Sequence, residues 1–268
     1  MSERGRIALI AAFAAAIVAA VFAFVPPIAQ PQWYHDFADR RAWLGVPNFL
    51  DVTSNALFLV VGAAGLARLS AGVFADPRER WAYAVFYAGL VLTGIASGWY
   101  HLEPTDARLA WDRLAMSVVF AGFAAAVLTE RLGLRCGLAA LPALLVAGPT
   151  AVLWWVATEA AGAGDLRAYG LVQFTPMLLV PLLLWLMPAR YTRGGDLLAV
   201  LGLYALALAL EWLDRPIFDL SGSVSGHTLK HLLAALAGYG LLRHVRRRRL
   251  THGETPLTPI PLGRSPRS

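Results

Sequence analysis

Long apolar runs separated by short polar links dominate the chain. Eight such runs lie near residues 7–30, 47–68, 81–101, 108–130, 136–158, 168–188, 195–213 and 226–244. Each has about 20 residues, the length that an α-helix needs to cross a hydrocarbon layer of about 30 Å. Strands are not favoured, because a membrane barrel would alternate apolar and polar positions. The pattern predicts an all-α polytopic membrane protein.

The first run differs from the other seven in its surroundings. It follows Arg4 and Arg6, ends at Pro26 and Pro27, and precedes a polar, aromatic-rich connector at residues 31–46. Its length and the lack of a small-residue cleavage site favour a transmembrane helix over a cleaved signal peptide. The predicted organisation has three parts: residues 1–46, an extra N-terminal helix with its outer connector; residues 47–244, a seven-helix core; and residues 245–268, a basic, disordered cytoplasmic tail.

Composition agrees with a membrane protein and argues against a soluble domain. Hydrophobic residues make up 58% of the chain, charged residues make up 15%, and the mean hydropathy is +0.57. Soluble domains carry about a quarter charged residues. A single cysteine, Cys136, excludes an intrachain disulfide and a cysteine-rich metal site. The net charge of +6 comes from basic residues that border the apolar runs, which suits membrane orientation and not nucleic-acid binding.

The distribution of basic residues predicts the orientation. Eight spans place both termini on one side of the membrane, and that side collects 16 of the 23 lysines and arginines. The imbalance predicts cytoplasmic termini. Because the Ala-, Leu- and Arg-rich composition is typical of bacteria, we expect a bacterial inner membrane.

Five polar residues lie on the outer side in this topology. Ser97 and His101 end one span, Asp112 begins the next, and His227 and His231 begin the last. Residues four apart share a helix face. Three histidines with an open fourth position are typical of catalytic zinc, which lowers the pKa of a bound water to about 7. Asp112 is then predicted to transfer the water's proton, and Ser97 to donate a hydrogen bond to an oxyanion.

Simpler roles are predicted for the other polar residues. Lys230 is expected to extend outward. Surface positions without partners are predicted for three further histidines, His35, His244 and His252. Mutual salt bridges are expected among four residues of an outer loop, Glu211, Asp214, Arg215 and Asp219. Calcium could bind Asp36 and Asp39 together with Asn48 or Asp51, although an ordinary acidic loop explains these residues more simply.

The polar constellation resembles that of the alkaline ceramidases, seven-helix membrane hydrolases in a wider group with the adiponectin-receptor-like proteins. The matching residues are Ser97-x3-His101, Asp112 eleven residues later, and His227-x3-His231. Residues 47–55 also resemble the first core helix of that family, and the similarity covers roughly residues 47–244 in scattered motifs. The resemblance implies a seven-helix core, zinc bound by the three histidines, and hydrolysis of the amide bond of ceramide-like lipids. It gives Asp112 the water-activating role and Ser97 the oxyanion role.

Residues 34–48 differ in identity and spacing from the acidic stretch with which eukaryotic ceramidases bind calcium. The leading hypothesis is a zinc-dependent intramembrane hydrolase that acts on ceramide or another N-acyl lipid; chain length, head group and the choice between amide and ester remain open. A non-enzymatic lipid sensor or receptor with a structural zinc site is the alternative. An intramembrane serine protease is disfavoured because Gly94 lies three residues before Ser97, where the rhomboid-type motif needs two. No inverted repeat supports a transporter.

Overall fold

Ten α-helices form within residues 1–251, the part of the chain that the computed structural model describes. They are α1 (Glu3–Phe24), α2 (Phe49–Ser54), α3 (Ala56–Arg68), α4 (Arg80–Leu102), α5 (Asp106–Leu132), α6 (Leu134–Ala160), α7 (Arg167–Leu186), α8 (Gly194–Trp212), α9 (Asp214–Ser221) and α10 (Gly226–Arg247). Across this part of the chain, β-structure is limited to two isolated bridges. The predicted all-α class is confirmed.

Seven segments are long and apolar enough to cross a membrane, which confirms the polytopic architecture. They comprise α1, the α2–α3 segment, and α4 to α8. The predicted second span is interrupted at Asn55, between α2 and α3. The predicted eighth span forms α10, a helix of 22 residues, but it carries Lys230 near its start and three arginines near its end. Its apolar stretch is therefore shorter than those of the other seven.

The helices after the connector pack as a closed bundle. Helix α4 packs extensively against α5 and α3, α5 packs against α6, and α10 lies against both α8 and α3. Gly122 of α5 permits a close approach to α4, because a Cβ there would lie 2.4 Å from the backbone nitrogen of Phe86. Small residues at such crossings let membrane helices pack by van der Waals contact. Helix α1 packs on α7 from outside and buries one residue, Ile10, as expected for an extra helix.

Two predictions about the C-terminal end of α10 are wrong. Arg248 is only 1% exposed and forms an ion pair with Glu130. His244 is fully buried, with Nε2 3.1 Å from the same carboxylate, so it is not a surface residue. Residues 245–251 are therefore ordered, because Arg248 meets buried Glu130 and the backbone of Arg249 and Thr251 forms hydrogen bonds with the link between α7 and α8. The rest of the predicted tail, which contains His252, lies outside the described residues.

Candidate metal centre

Local capping fixes the first turn of α10, which carries two of the three candidate ligands. Ser225 is the N-cap, and its side-chain oxygen accepts a hydrogen bond from the Thr228 backbone N–H at 3.0 Å. Such a cap satisfies a helix donor that would otherwise lack a partner. The backbone N–H of His227 donates to Asp214 Oδ1 at 2.8 Å. These bonds orient His227 and His231 along the inner face of the helix.

The three histidines of the predicted site meet inside the bundle. Their ring centroids are 4.8 Å apart for His101–His227, 5.0 Å for His101–His231 and 4.8 Å for His227–His231. All three residues are buried, with exposures between 1% and 4%. One ring nitrogen from each lies within 4.8 Å of the others. Within residues 1–251 this is the one group of His, Cys, Asp or Glu arranged to bind a metal ion.

Two ring nitrogens of this group have no hydrogen-bond partner. His101 Nδ1 and His227 Nε2 are buried and unpaired. Buried polar atoms are normally paired, because leaving one without a partner costs free energy. A cation bound by imidazole nitrogens would satisfy both atoms. The donor set, three imidazoles without thiolate or carboxylate, is one that catalytic zinc sites use.

The third histidine is oriented by a hydroxyl. Ser54 Oγ lies 2.8 Å from His231 Nδ1, and the same hydroxyl donates to the Asp51 carbonyl oxygen at 3.0 Å. A serine has one hydroxyl proton. Because Ser54 donates its only hydroxyl proton to Asp51, the proton in the hydrogen bond between Ser54 and His231 belongs to His231 Nδ1. The Nε2 atom of His231 then has a free lone pair for a metal. Metal-binding histidines commonly donate their second N–H in this way.

Ser97 and Asp112 lie at the same end of the bundle as the three histidines. Ser97 is buried one turn before His101 on α4, and its hydroxyl faces the Asp112 carboxylate of α5. Asp112 is also buried, and its Oδ1 has no hydrogen-bond partner. The structure therefore brings the five predicted site residues to one end of the bundle, where Asp112 Oδ1 and two histidine ring nitrogens are unpaired.

The prediction that Lys230 extends outward is wrong. Its side chain is 14% exposed and forms an ion pair with Glu211 of α8. Glu211 Oε1 also accepts a hydrogen bond from the Tyr34 hydroxyl at 2.9 Å and lies 4.0 Å from His227 Nδ1. Burial raises the pKa of the Tyr34 phenol well above its ordinary value, so Tyr34 stays a donor. Lys230 turns inward because α8 provides a carboxylate inside the bundle.

The predicted outer loop is largely helix α9, and the expected mutual salt bridges do not form. Asp214 accepts backbone hydrogen bonds from Ala38 and His227, at 2.9 and 2.8 Å. Arg215 approaches Asp36 at 3.7 Å. The connector is thereby attached to the start of α10.

The prediction that His35 of the connector is a surface residue without partners is wrong. The ring nitrogens of His35 lie 2.8 Å from Tyr100 Oη and 2.9 Å from Asp106 Oδ1.

The residues proposed for calcium are engaged elsewhere. Asp36 pairs with Arg40, and both carboxylate oxygens of Asp39 pair with Arg41. The hydrogen bond from Arg41 lowers the pKa of Asp39. Asn48 donates to the carbonyl of His101, and Asp51 Oδ1 accepts from the hydroxyls of Ser225 and Thr228. The structure does not group these four side chains into one site.

A phenylalanine of the connector covers the histidines. Phe37 is buried, and its ring centroid lies 4.6 Å from the rings of both His101 and His227. The hydrophobicity pattern carried no signal for this contact, because Phe37 lies in a link that the pattern assigns to the membrane surface. The connector is therefore part of the site.

Three cavities that share lining residues lie in this part of the bundle. An outer groove of about 340 Å³ is lined by Trp33, Tyr34, Asp36, Phe37, Glu211, Trp212, Asp214, Arg215, Pro216 and His227. A polar chamber of about 40 Å³ contains Tyr34, Asp112, Arg113, Tyr169, Gln173, Glu211 and Lys230 in its walls. An apolar cavity of about 100 Å³ lies deeper, with walls that include Phe58, Phe86, Leu90, Met116, Phe120, Gln173 and Tyr204. The outer groove and the polar chamber share Tyr34 and Glu211 as lining residues, and the polar chamber and the apolar cavity share Met116 and Gln173.

None of the protein-family models, curated proteins or solved structures compared with this chain matches it. The resemblance to the alkaline ceramidases stays a prediction that rests on the five motif residues and the start of the core.

Proposed function

We propose that this chain is a zinc-dependent hydrolase of the membrane that cleaves the N-acyl amide bond of ceramide-like lipids. The observation that carries the proposal is the buried group of His101, His227 and His231, in which two ring nitrogens are unpaired. Asp112, whose Oδ1 is also buried and unpaired, lies near the start of α5 at the same end of the bundle. Buried polar atoms without partners cost free energy, and a bundle with a purely structural role would gain nothing from them. Ionisable residues inside membrane helices generally mark functional sites.

The reaction adds water across the amide, so that a fatty acid and an amine leave. Zinc bound by three histidines would supply Lewis acidity and a water of lowered pKa. Asp112 Oδ1 has no competing donor, so it is free to accept a proton from the attacking water and to pass it to the leaving nitrogen. Ser97, whose hydroxyl faces Asp112, would turn to donate a hydrogen bond to the carbonyl oxygen as negative charge develops there.

The cavities support a lipid substrate. The apolar cavity lies among the helices and would accept part of an acyl chain, and Gln173 lines both this cavity and the polar chamber. The outer groove reaches His227 from the other side. We place the site toward the outer leaflet of a bacterial inner membrane, with cytoplasmic termini, on the strength of the 16 of 23 basic residues on the opposite side.

A non-enzymatic lipid sensor with a structural metal is the second candidate, and the position of Phe37 favours it. The Phe37 ring lies against His101 and His227 and restricts access to the histidines. However, structural zinc sites usually have four protein ligands. Within residues 1–251 the group contains three, which favours the hydrolase.

Hydrolysis of an N-acylsphingosine panel by purified protein in lipid nanodiscs tests the proposal. The wild type should release fatty acid, detected by mass spectrometry. Asp112→Asn should keep the metal and lose about 100-fold or more in turnover, and His231→Ala should lose both. Glu103→Gln, at an exposed carboxylate near the same end of α4, is the matched control and should behave as wild type. Full hydrolysis by metal-free protein would contradict the proposal, and a metal-loaded wild type without turnover on any N-acyl lipid would favour the sensor.

A further inference from the structure

One buried arginine beside the proposed catalytic aspartate makes no direct ion pair, although its charge acts on that aspartate from a distance. Arg113 follows Asp112 on α5 and is 7% exposed. Its Nη2 donates to Gln30 Oε1 at 2.7 Å, whereas Nη1 is buried without a hydrogen-bond partner. In the part of the chain that the structure describes, Arg113 takes part in no ion pair. A buried guanidinium with an unpaired N–H group and no direct ion pair is unfavourable, and a charged residue inside a membrane helix is by default a candidate for a binding function.

Aromatic rings position the guanidinium without satisfying its donors. The Arg113 Cζ atom lies 4.3 Å from the ring centroid of Trp155, 5.1 Å from that of Tyr169 and 5.8 Å from that of Tyr34. Cation–π contacts of this kind stabilise the charge. They leave the N–H groups in the plane of the guanidinium available. The unpaired Nη1 therefore remains a preorganised donor for a ligand.

The polar chamber that Arg113 lines is of a size to hold a small anion. Its volume of about 40 Å³ exceeds the roughly 10–15 Å³ that one water needs, so it holds about two or three waters, close to the size of a carboxylate. The other cation in its wall, Lys230, is already paired with Glu211. Arg113 is thus the lining cation with a free donor.

The cavities next to the polar chamber indicate which kind of molecule would carry such an anionic group. Met116 and Gln173 line both the polar chamber and the apolar cavity. Tyr34 and Glu211 line both the chamber and the outer groove. A carboxylate at Arg113 would therefore have an apolar space on one side, which suits a hydrocarbon chain, and a polar exit on the other.

We propose that Arg113 forms a carboxylate-binding subsite for single-chain acidic lipids. The guanidinium would donate from Nη1 to the carboxylate, while the chain extends toward the apolar cavity. The carboxylate has two possible sources: the fatty acid that hydrolysis releases, or a head-group carboxylate on an N-acyl amino acid substrate. Only this choice of source rests on the proposed function; the binding of a carboxylate does not.

Thermal unfolding of the detergent-purified, full-length protein tests the subsite without turnover. At about pH 8, where carboxylates are ionised, palmitate should stabilise the wild type at about tenfold lower concentration than palmitamide, its neutral isostere. Arg113→Gln should lose this preference, while Arg215→Gln, at an exposed arginine outside the chamber, should keep it. Equal affinity of the wild type for palmitate and palmitamide would overturn the proposal even if Arg113→Gln failed to fold. An unchanged preference in folded Arg113→Gln would overturn it as well.

A second comparison separates the two sources. If the head group supplies the carboxylate, N-palmitoylglycine should be hydrolysed at least about tenfold better than N-palmitoylglycinamide in kcat/KM, and Arg113→Gln should remove that ratio. If the product supplies it, the ratio should be near one, and palmitate should inhibit the wild type but not Arg113→Gln. A protein that hydrolyses neither substrate but binds palmitate through Arg113 would contradict the proposed function and leave the subsite standing.

Discussion

Replacing Ser54 with alanine removes the oxygen that orients the His231 ring. In the wild type His231 Nδ1 lies 2.8 Å from Ser54 Oγ, which fixes the proton on Nδ1 and leaves Nε2 for a metal. Loss of such a partner typically weakens metal binding by about 10- to 100-fold, or about 1.4–2.7 kcal/mol. The backbone carbonyl of Asp51 also lies close enough to His231 to accept this proton. We therefore expect an effect near the lower limit, about tenfold.

Competition with a chromophoric zinc chelator, in detergent at constant pH, measures this change. Ser117→Ala is the matched control, because Ser117 is buried on α5 and its hydroxyl donates within its own helix to Leu114 at 2.7 Å. Ser117→Ala should bind zinc as the wild type does. A Ser54→Ala variant with wild-type affinity, or an equal loss in both variants, would refute the idea that Ser54 orients the His231 ring for zinc.

Three further predictions concern the framework around the site. Gly226→Ala should weaken zinc binding, because a Cβ there would lie 2.2 Å from a backbone oxygen of α8 and would displace the start of α10; chelator competition measures this. Glu130→Gln should lower the free energy of unfolding by about 3 kcal/mol, since it leaves Arg248 buried with a weaker counter-ion, yet zinc content should not change; denaturation and metal analysis together check this. Asp165 has a pKa of about 2 against an ordinary 3.8, chiefly because Arg167 donates to it. Its stabilisation is present above about pH 4, so the difference in melting temperature between wild type and Asp165→Asn should be constant from about pH 8 to 5 and shrink toward pH 3.

The sequence predicted the helices well because membrane spans are defined by length and hydrophobicity alone. It also placed the residues of the site on one side, since alternate helix ends of a polytopic bundle must face the same leaflet. His101 and His231 are 130 positions apart, and topology was sufficient to predict that they approach each other. The ring centroid distance of 5.0 Å depends on packing that the pattern could not supply.

The errors share one physical cause, the pairing of distant charges. Lys230 was predicted to extend outward because a lone basic residue near a helix end usually does, and Arg248 was assigned to a disordered tail. In the structure Glu211 and Glu130, on other helices, provide buried partners for them. Phe37 was unpredictable for a related reason, since its two histidine neighbours are distant in sequence. Local patterns therefore predicted where the site lies, but not what surrounds it.

Zinc content, measured by mass spectrometry of the purified protein, tests the central claim most directly. The claim predicts about one zinc per wild-type chain and per Asp112→Asn chain, and a loss of that zinc in His227→Ala. Glu103→Gln should keep it. A wild-type protein without bound metal after growth and purification in zinc, or a His227→Ala variant that retains a full equivalent, would contradict the account of His101, His227 and His231 as a metal centre.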